Sequence, residues 1–592
     1  MRFPLKVRLL TIIFFVGFVL VLLRLIFLQI FSFEKYAAQA EAQHFYSLYL
    51  PARRGEILAS DKIALASNKN SYLLYAHLPQ LSGDRSELSD KIAQILAQTV
   101  PIIATDSAVV PPDEQAKYLK RTQKDLTQNI IDRLSVRNAL WVNLAHFLDP
   151  GTKTKIESLS LTGLGFTPEE ARDYPEASMA AHLLGFVGSD QNGNPKGYFG
   201  LEGYYDRELS GRAGELRIEK DALGRPIAIG NEIRQEKQDG RTLVTTIDRG
   251  VQHFVETNLK AGISDWQAAG GTAIVMDAKT GAILALVNFP NYDPGRFPYY
   301  PTERYKNPAV ANLFEPGSIM KPIIMAAAIN DNKLTPESRC DKCDGPRQIY
   351  NFYIHTFDNH YHPNETMTEV LINSDNTGMV FVGEKLGFPS LLSYLSKFGF
   401  GQKTSVDLEE EEGGSLGKAD DYYPIDQATM AFGQGINVNA LQMVRAFGAL
   451  ANGGQLPTPY LVSQIIDQGQ TINLAHPPGP RVVSENTAQT ITQMLVQVAN
   501  KSPEHFPKDR IPLLANFQIA AKSGTAQIAV GGKYQSSGTI ASVIGYFPAA
   551  NPRFVILAKL NQPEIRPWGS DTAGPIFFAI VRDLIQYYGI SP

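Results

Sequence analysis

No block of lysine and arginine occurs in the chain, and its 55 basic against 59 acidic residues leave a net charge of −4. A nucleic-acid partner requires a basic stripe, so none is expected. Charged residues are scarce, 19% against 44% hydrophobic, which excludes a largely disordered chain. No unit of about 20–50 residues repeats, so a solenoid or propeller is excluded. Cysteine is limited to Cys340 and Cys343, in RCDKCDG. Outside the cytoplasm such a pair can close a small disulfide. His355, His360 and His362 follow, which leaves a Cys/His metal site as the alternative. One CxxC is only half of the usual metal signature, so loop structure is preferred and neither metal nor cofactor is assigned.

What is present begins with a long apolar run. After Arg2, Lys6 and Arg8, residues 9–31 read LLTIIFFVGFVLVLLRLIFLQIF, and a bilayer-spanning helix needs about 20 such residues. The alternative is a cleaved signal peptide with Ala38 and Ala40 near the cut, but a signal core runs only about 7–15 residues. Basic residues ahead of the run predict residues 1–8 in the cytoplasm, a transmembrane helix over 9–31 and everything after it outside. No second run of that length follows. Arg24, near the far end, is placed to snorkel or to pair with a helix of another membrane protein.

A chain of 592 residues exceeds what one core supports, so two or three domains are expected. Residues 34–245 read as irregular and mixed, with short strands and a turn in RRGEILASDKIALASN (53–68) and mainly helical pattern over 86–149. They hold no defensible pairing of nucleophile and base, and read as scaffold or docking surface. From about 250 the character changes. A helix pattern, two β-rich runs around DAKTG, a helix-rich middle, further β-rich runs and a last helix predict one α+β domain over 250–588, its sheet built from both ends of the domain.

Three short patterns occur in order in that domain. They are Ser318 and Lys321 in FEPGSIMKP, Ser374 and Asn376 in INSDNTG, and Lys522, Ser523, Gly524 and Thr525 in AKSGTAQ. A serine hydroxyl is a weak nucleophile until a base takes its proton. Helix positions i and i+3 share a face, so Lys321 can point at Ser318. A neutral lysine needs burial or a neighbouring cation, which Lys522 can provide. Ser374 offers a proton relay and Asn376 an amide to hold a peptide carbonyl. Lys522 with Ser523 or Thr525 can bind a carboxylate, Gly524 lets a substrate lie against a strand edge, and the Thr525 backbone N–H can complete an oxyanion hole.

Each pattern alone is weak, since about two SxxK matches are expected by chance in a chain this long. SLGK (415–418) is such a match, in a glycine-rich stretch, and SEN (484–486) reads as a helix N-cap. AKTG (278–281) duplicates the third pattern but precedes Ser318, and reads as a hairpin turn. The order SxxK, SxN, KSG is the specific signal, and it marks penicillin-binding proteins and class A β-lactamases.

At this point the chain resembles the class B penicillin-binding proteins over nearly its whole length. Beyond the three motifs the resemblance runs through Arg24 to Gln29, RRGEIL (53–58), RDYPEASMAAHLLGFVG (172–188), GLEGYYDRELSG (200–211), TSVDLEEEEGG (404–414) and AFGQG (431–435). It implies a transmembrane helix, an extended mixed pedestal of dimerisation type, and a serine transpeptidase-like domain with a mainly antiparallel sheet flanked by helices. It further implies attack by Ser318 on the D-Ala-D-Ala bond of a peptidoglycan stem peptide and transfer to a neighbouring stem amine. β-Lactams would acylate the same serine, and an integral-membrane glycan polymerase of the shape/division family is the implied partner. The 340–362 segment and the acidic run Glu409–Glu412 depart from the pattern. A β-lactamase, with one of those glutamates activating water, and a β-lactam sensor or scaffold are the competing readings. The long region ahead of the catalytic part argues against the first, and the short segment ahead of the span against the second.

Overall fold

The computed structural model describes residues 5–37, 45–100, 112–137, 139–191, 193–221, 227, 232–501, 511–530 and 533–592. Two compact units result, one of residues 1–54 with 210–240 and one of residues 55–209 with 241–592. In the first, helix α1 (Leu5–Ile26) continues as a π-helical turn over Phe27–Phe31. The stretch Leu9–Phe31 is long and apolar enough to cross a membrane, with mean hydropathy 2.9 and no part of it buried. The Arg24 guanidinium lies 5.5 Å from the Phe27 ring centre. A three-stranded antiparallel sheet of Phe45–Leu50, Gly214–Glu219 and Glu232–Gln235 completes this unit.

The second unit is organised around a five-stranded antiparallel sheet. Its elements are α2 (Arg249–Asp265), β1 (Gly270–Asp277), β2 (Ile283–Phe289), α3 (Lys321–Asn330), α4 (Asn376–Leu386), β3 (Ala520–Val530), β4 (Lys533–Phe547), β5 (Phe554–Asn561) and α5 (Gly569–Tyr588). The strand order is β2-β1-β5-β4-β3, so strands from both ends of this region meet at the centre and β3 forms an edge. The burial of β1 and β5 is nearly continuous because helices cover both faces. Gly271 of β1 faces Leu259 of α2, whereas Met276 faces Gly448 of the helix Ala440–Ala451 on the other side.

Local chemistry fixes the ends of these elements. Asp248 caps α2 by accepting from Gly250 N (3.0 Å) and Val251 N (3.2 Å), a device worth about 0.5–2 kcal/mol. Tyr587 and Tyr588 at the end of α5 also donate to Asp248, which ties the last helix to α2. In the β1–β2 hairpin Asp277 Oδ1 accepts from Lys279 N (3.0 Å) and Thr280 N (2.8 Å). Gly281 follows at φ +83°, where a Cβ would lie 2.2 Å from Thr458 O. The AKTG copy is thus the expected turn. SEN likewise begins a helix, with Ser484 Oγ accepting from Thr487 N.

A second sheet in this unit was not foreseen. Val462–Asp467 pairs with Thr242–Thr245, which lies parallel to Ile57–Leu58, and the sheet continues through Ala64–His77 to Trp141–Leu148. The helical expectation for 86–149 therefore fails at its end. Arg85–Ala97 and Pro112–Leu134 are helices, but Trp141–Leu148 is a strand, held by register with Ala64–His77 that no local pattern reports.

The quoted motifs RDYP and GLEG meet in a buried ion pair. Arg172 Nε donates to Glu202 Oε1 at 2.6 Å, with side chains 5% and 0% exposed. Removing one partner of such a pair strands a buried charge. Arg172→Met is therefore expected to cost about 3–5 kcal/mol, read as a lowered thermal unfolding midpoint of the full chain.

Candidate active site

Ser318 lies in a tight helical turn, Gly317–Met320, that runs directly into α3. Gly317 has φ +57° and donates its N–H to Gly433 O at 2.9 Å. Gly433 itself has φ +84°, and a Cβ there would lie 2.1 Å from Gly317 O. The AFGQG motif is thus the floor under the Ser318 turn, and Gly435 N donates to Glu315 to hold its rim. Ser318 is left half-buried at the wall of a cleft of about 780 Å³.

Lys321, fully buried one turn on, donates to Ser374 O, Ser374 Oγ (3.3 Å) and Asn376 Oδ1 (2.8 Å). Those contacts, rather than one to Ser318, are its hydrogen bonds among the described residues. Burial, and secondly the Lys522 charge, push the Lys321 amine well below the ordinary lysine value. A neutral amine has two N–H donors and one lone pair, so with both hydrogens on Ser374 O and Asn376 Oδ1 the longer contact to Ser374 Oγ is left to the lone pair, which is the atom site able to take a proton.

The SDN turn is shaped by the middle residue. Asp375 caps α4, its Oδ1 accepting from Gly378 N (3.0 Å) and Thr377 Oγ1 (2.6 Å). Ser374 just before it has φ +53°, a conformation costly for a residue with a Cβ and frequent at functional sites. This turns Ser374 Oγ toward both lysines, with Lys522 Nζ donating to it at 3.0 Å. Asn376 Nδ2 donates to His355 O at 3.0 Å, so the segment following the cysteines positions this amide. Cys340 and Cys343 form a disulfide, which removes their sulfurs from any Cys/His metal site.

Lys522–Thr525 sit on edge strand β3, paired on one side with Ile544, Val543, Ser542 and Ala541 of β4. The other side faces the cleft, which Ser523, Gly524 and Thr525 line together with Ser318, Ser374 and Asn376. A Cβ at Gly524 would lie 2.9 Å from Ile319 Cγ2 and 3.0 Å from Ser542 Oγ, so glycine lets β3 close on the Ser318 turn. Thr525 Oγ1 accepts from Gly569 N at 3.0 Å. Burial pushes the Lys522 amine down to about 7.

That lowered value has a stability consequence. An unfolded lysine titrates near ~10.4, so burial costs stability below that pH, most fully below about 7. Lys522→Met is expected to raise the unfolding midpoint by a few degrees at pH ~7 while impairing activity, the gain shrinking as pH rises toward ~10. Thermal unfolding across pH checks this.

Sequence reasoning passed over Phe357, Trp568, Arg566 and Lys501, which also line the cleft. Only tertiary structure brings them there. The Phe357 and Trp568 rings are 5.6 Å apart. The acidic run lies elsewhere: none of Glu409–Glu412 lines the cleft. Glu409 Oε2 accepts from Phe199 N (2.9 Å), and Glu411 accepts from Thr404 N (2.7 Å) and Ser405 N (3.1 Å). These carboxylates hold loops, which removes the observation that favoured a water-activating glutamate.

With this geometry in place, comparison with known proteins is decisive. The penicillin-binding protein transpeptidase domain matches residues 271–582, and the penicillin-binding protein dimerisation domain residues 49–245. Stage V sporulation protein D of Bacillus subtilis is 30% identical over 99% of this chain and 86% of its own length. The peptidoglycan D,D-transpeptidase FtsI of Escherichia coli K12 is 28% identical over 87% of this chain and 85% of its own. Among solved structures, a peptidoglycan synthetase of Bifidobacterium adolescentis superposes with TM-score 0.70 at 26% identity, covering 93% of this chain and 98% of that one. The chain belongs to the penicillin-binding transpeptidases, and among them to class B. Its enzyme class is that of the serine D-Ala-D-Ala transpeptidases, and its apolar N-terminal helix is a membrane anchor.

Proposed function

We propose that Ser318 is the nucleophile of a peptidoglycan D,D-transpeptidase. The observation that carries the reading is the convergence of Ser318, Ser374, Asn376 and Lys522–Thr525 on one cleft, with Lys321 behind it making a buried amine network. Lys321, neutral, takes the Ser318 proton as Oγ attacks the carbonyl carbon of the penultimate D-alanine in a stem peptide. Backbone N–H groups, Thr525 among them, receive the oxyanion. The C–N bond breaks, Ser374 relays a proton to the departing amine, and D-alanine leaves. The amine of a neighbouring stem then attacks the ester, loses its proton and restores Ser318. Asn376 holds a peptide carbonyl, Lys522 with Ser523 and Thr525 holds the terminal carboxylate, and the stem lies along β3. Penicillins present a strained amide to the same serine and stay attached as the acyl-enzyme.

In this reading residues 1–8 are cytoplasmic, 9–31 span the plasma membrane, 34–245 form the non-catalytic pedestal and 250–588 the transpeptidase domain outside. An integral-membrane glycan polymerase is the partner that supplies strands, with Arg24 on the anchor placed to meet it, and the role is in cell division or elongation. The test is to supply the full chain and a glycan polymerase with a pentapeptide substrate. Crosslinked dimers should appear with one D-alanine released per crosslink. D-alanine release without crosslinks would make the enzyme a carboxypeptidase, and neither product would sink the reading.

A further inference from the structure

Behind the SDN turn, three ligand atoms converge without partners. His362 Nδ1, Glu365 Oε1 and Asp375 Oδ2 are each buried with no hydrogen bond, and the ligand atoms of these residues lie within 4.8 Å of one another. Glu365 is 5% exposed and Asp375 1%. In each carboxylate the other oxygen is already engaged. Glu365 Oε2 accepts from Asn373 Nδ2 (3.0 Å), and Asp375 Oδ1 accepts from Gly378 N and Thr377 Oγ1. Each carboxylate therefore keeps one buried oxygen unused, close to the other and to the His362 ring nitrogen. Unpaired buried polar atoms are costly, and two carboxylates facing each other in a buried site repel. One shared proton relieves a single oxygen pair and leaves the imidazole nitrogen orphaned. A divalent cation satisfies all three.

We propose that His362, Glu365 and Asp375 bind a divalent cation of the zinc type. One imidazole and two carboxylates suit zinc, whose ligand bonds of about 2.0–2.2 Å put tetrahedral ligand atoms roughly 3.3–3.5 Å apart. His362 Nδ1 and Asp375 Oδ2 are already 3.8 Å apart. The His362 side chain, 33% exposed, has room to close the remainder, and it borders the cleft, so water can take the fourth position. Asp375 caps α4 and neighbours the left-handed Ser374. The ion thereby pins the 362–365 segment to the turn that carries Ser374 and Asn376, a positioning role in which it touches no reacting atom.

The test uses the untagged full chain in detergent, stripped with a chelator and titrated with Zn²⁺, and separately with Co²⁺ as a spectroscopic probe. The expected result is one zinc per chain and a visible Co²⁺ absorption of tetrahedral type. His362→Ala and Glu365→Gln should each weaken binding at least about tenfold, with near-UV circular dichroism unchanged. His360, exposed with its ring 4.8 Å from that of His362, discriminates an incidental surface histidine pair. Under the proposal His360→Ala binds zinc as the parent does. Absence of zinc and of the Co²⁺ band means a shared proton holds the carboxylates, and overturns the proposal. Loss of zinc on His360→Ala, or binding indifferent to both other substitutions, overturns it equally. Penicillin labelling is a separate readout, so failure here leaves the transpeptidase reading intact.

Discussion

Ser318→Ala is expected to abolish covalent labelling of the full chain by fluorescent penicillin, lowering acylation by about 10⁴-fold or more. At 1.36 kcal/mol per decade that is at least about 5 kcal/mol of barrier. The loss should be confined to chemistry. The Ser318 turn is held by Gly317 N donating to Gly433 O and by α3 behind it, contacts that use the backbone and survive loss of one half-exposed hydroxyl. The thermal midpoint should stay within about a degree of the parent's, which separates a missing nucleophile from a misfolded site. Gel fluorescence after a timed incubation reads the labelling directly.

Lys321→Met should come next, slowing acylation by about 10³–10⁴-fold. Methionine fills a similar volume in this fully buried position, but it leaves Ser374 O and Asn376 Oδ1 without their donor and Ser318 without a base. The pH profile distinguishes these losses. The amine must be neutral to accept a proton, and its value is lowered, so the parent's acylation rate should rise with pH on the acid side. Lys522, held down to about 7, must be charged to bind a carboxylate, so the rate should fall on the alkaline side. The two amines are coupled, and the limbs of this bell belong to the pair. In Lys321→Met the acid limb should vanish while the alkaline limb persists. Stopped-flow acylation across pH checks both.

The sequence was most legible where function constrains local chemistry. Order along the chain distinguished AKSG on β3 from the AKTG turn; the turn is set by the Asp277 cap and the positive-φ Gly281, whereas Gly524 lets β3 close on Ile319 and Ser542. The apolar anchor and the sheet assembled from both ends of the later region were equally readable, since each follows from runs of apolar residues, whereas the antiparallel order came with the family resemblance. What stayed hidden depends on long-range register. Trp141–Leu148 is a strand only because Ala64–His77 lies beside it, and Val462–Asp467 reaches a strand more than 200 residues earlier. At the site, Lys321 could be placed on the Ser318 face by helix periodicity, but its bonds to Ser374 and Asn376 require a fold. Asp375 was read only as the middle letter of a motif. Its role as a buried cap with one free oxygen becomes visible once α4 and Glu365 surround it.

Ser318, and no other serine, is expected to receive the acyl group. Digesting the penicillin-treated full chain and mapping the added mass by tandem mass spectrometry tests it most directly. The adduct is expected on the peptide that contains FEPGSIMKP, at Ser318, with one penicillin per chain. An adduct on Ser374, on Ser415 of the second SxxK, or on no single residue would contradict the account.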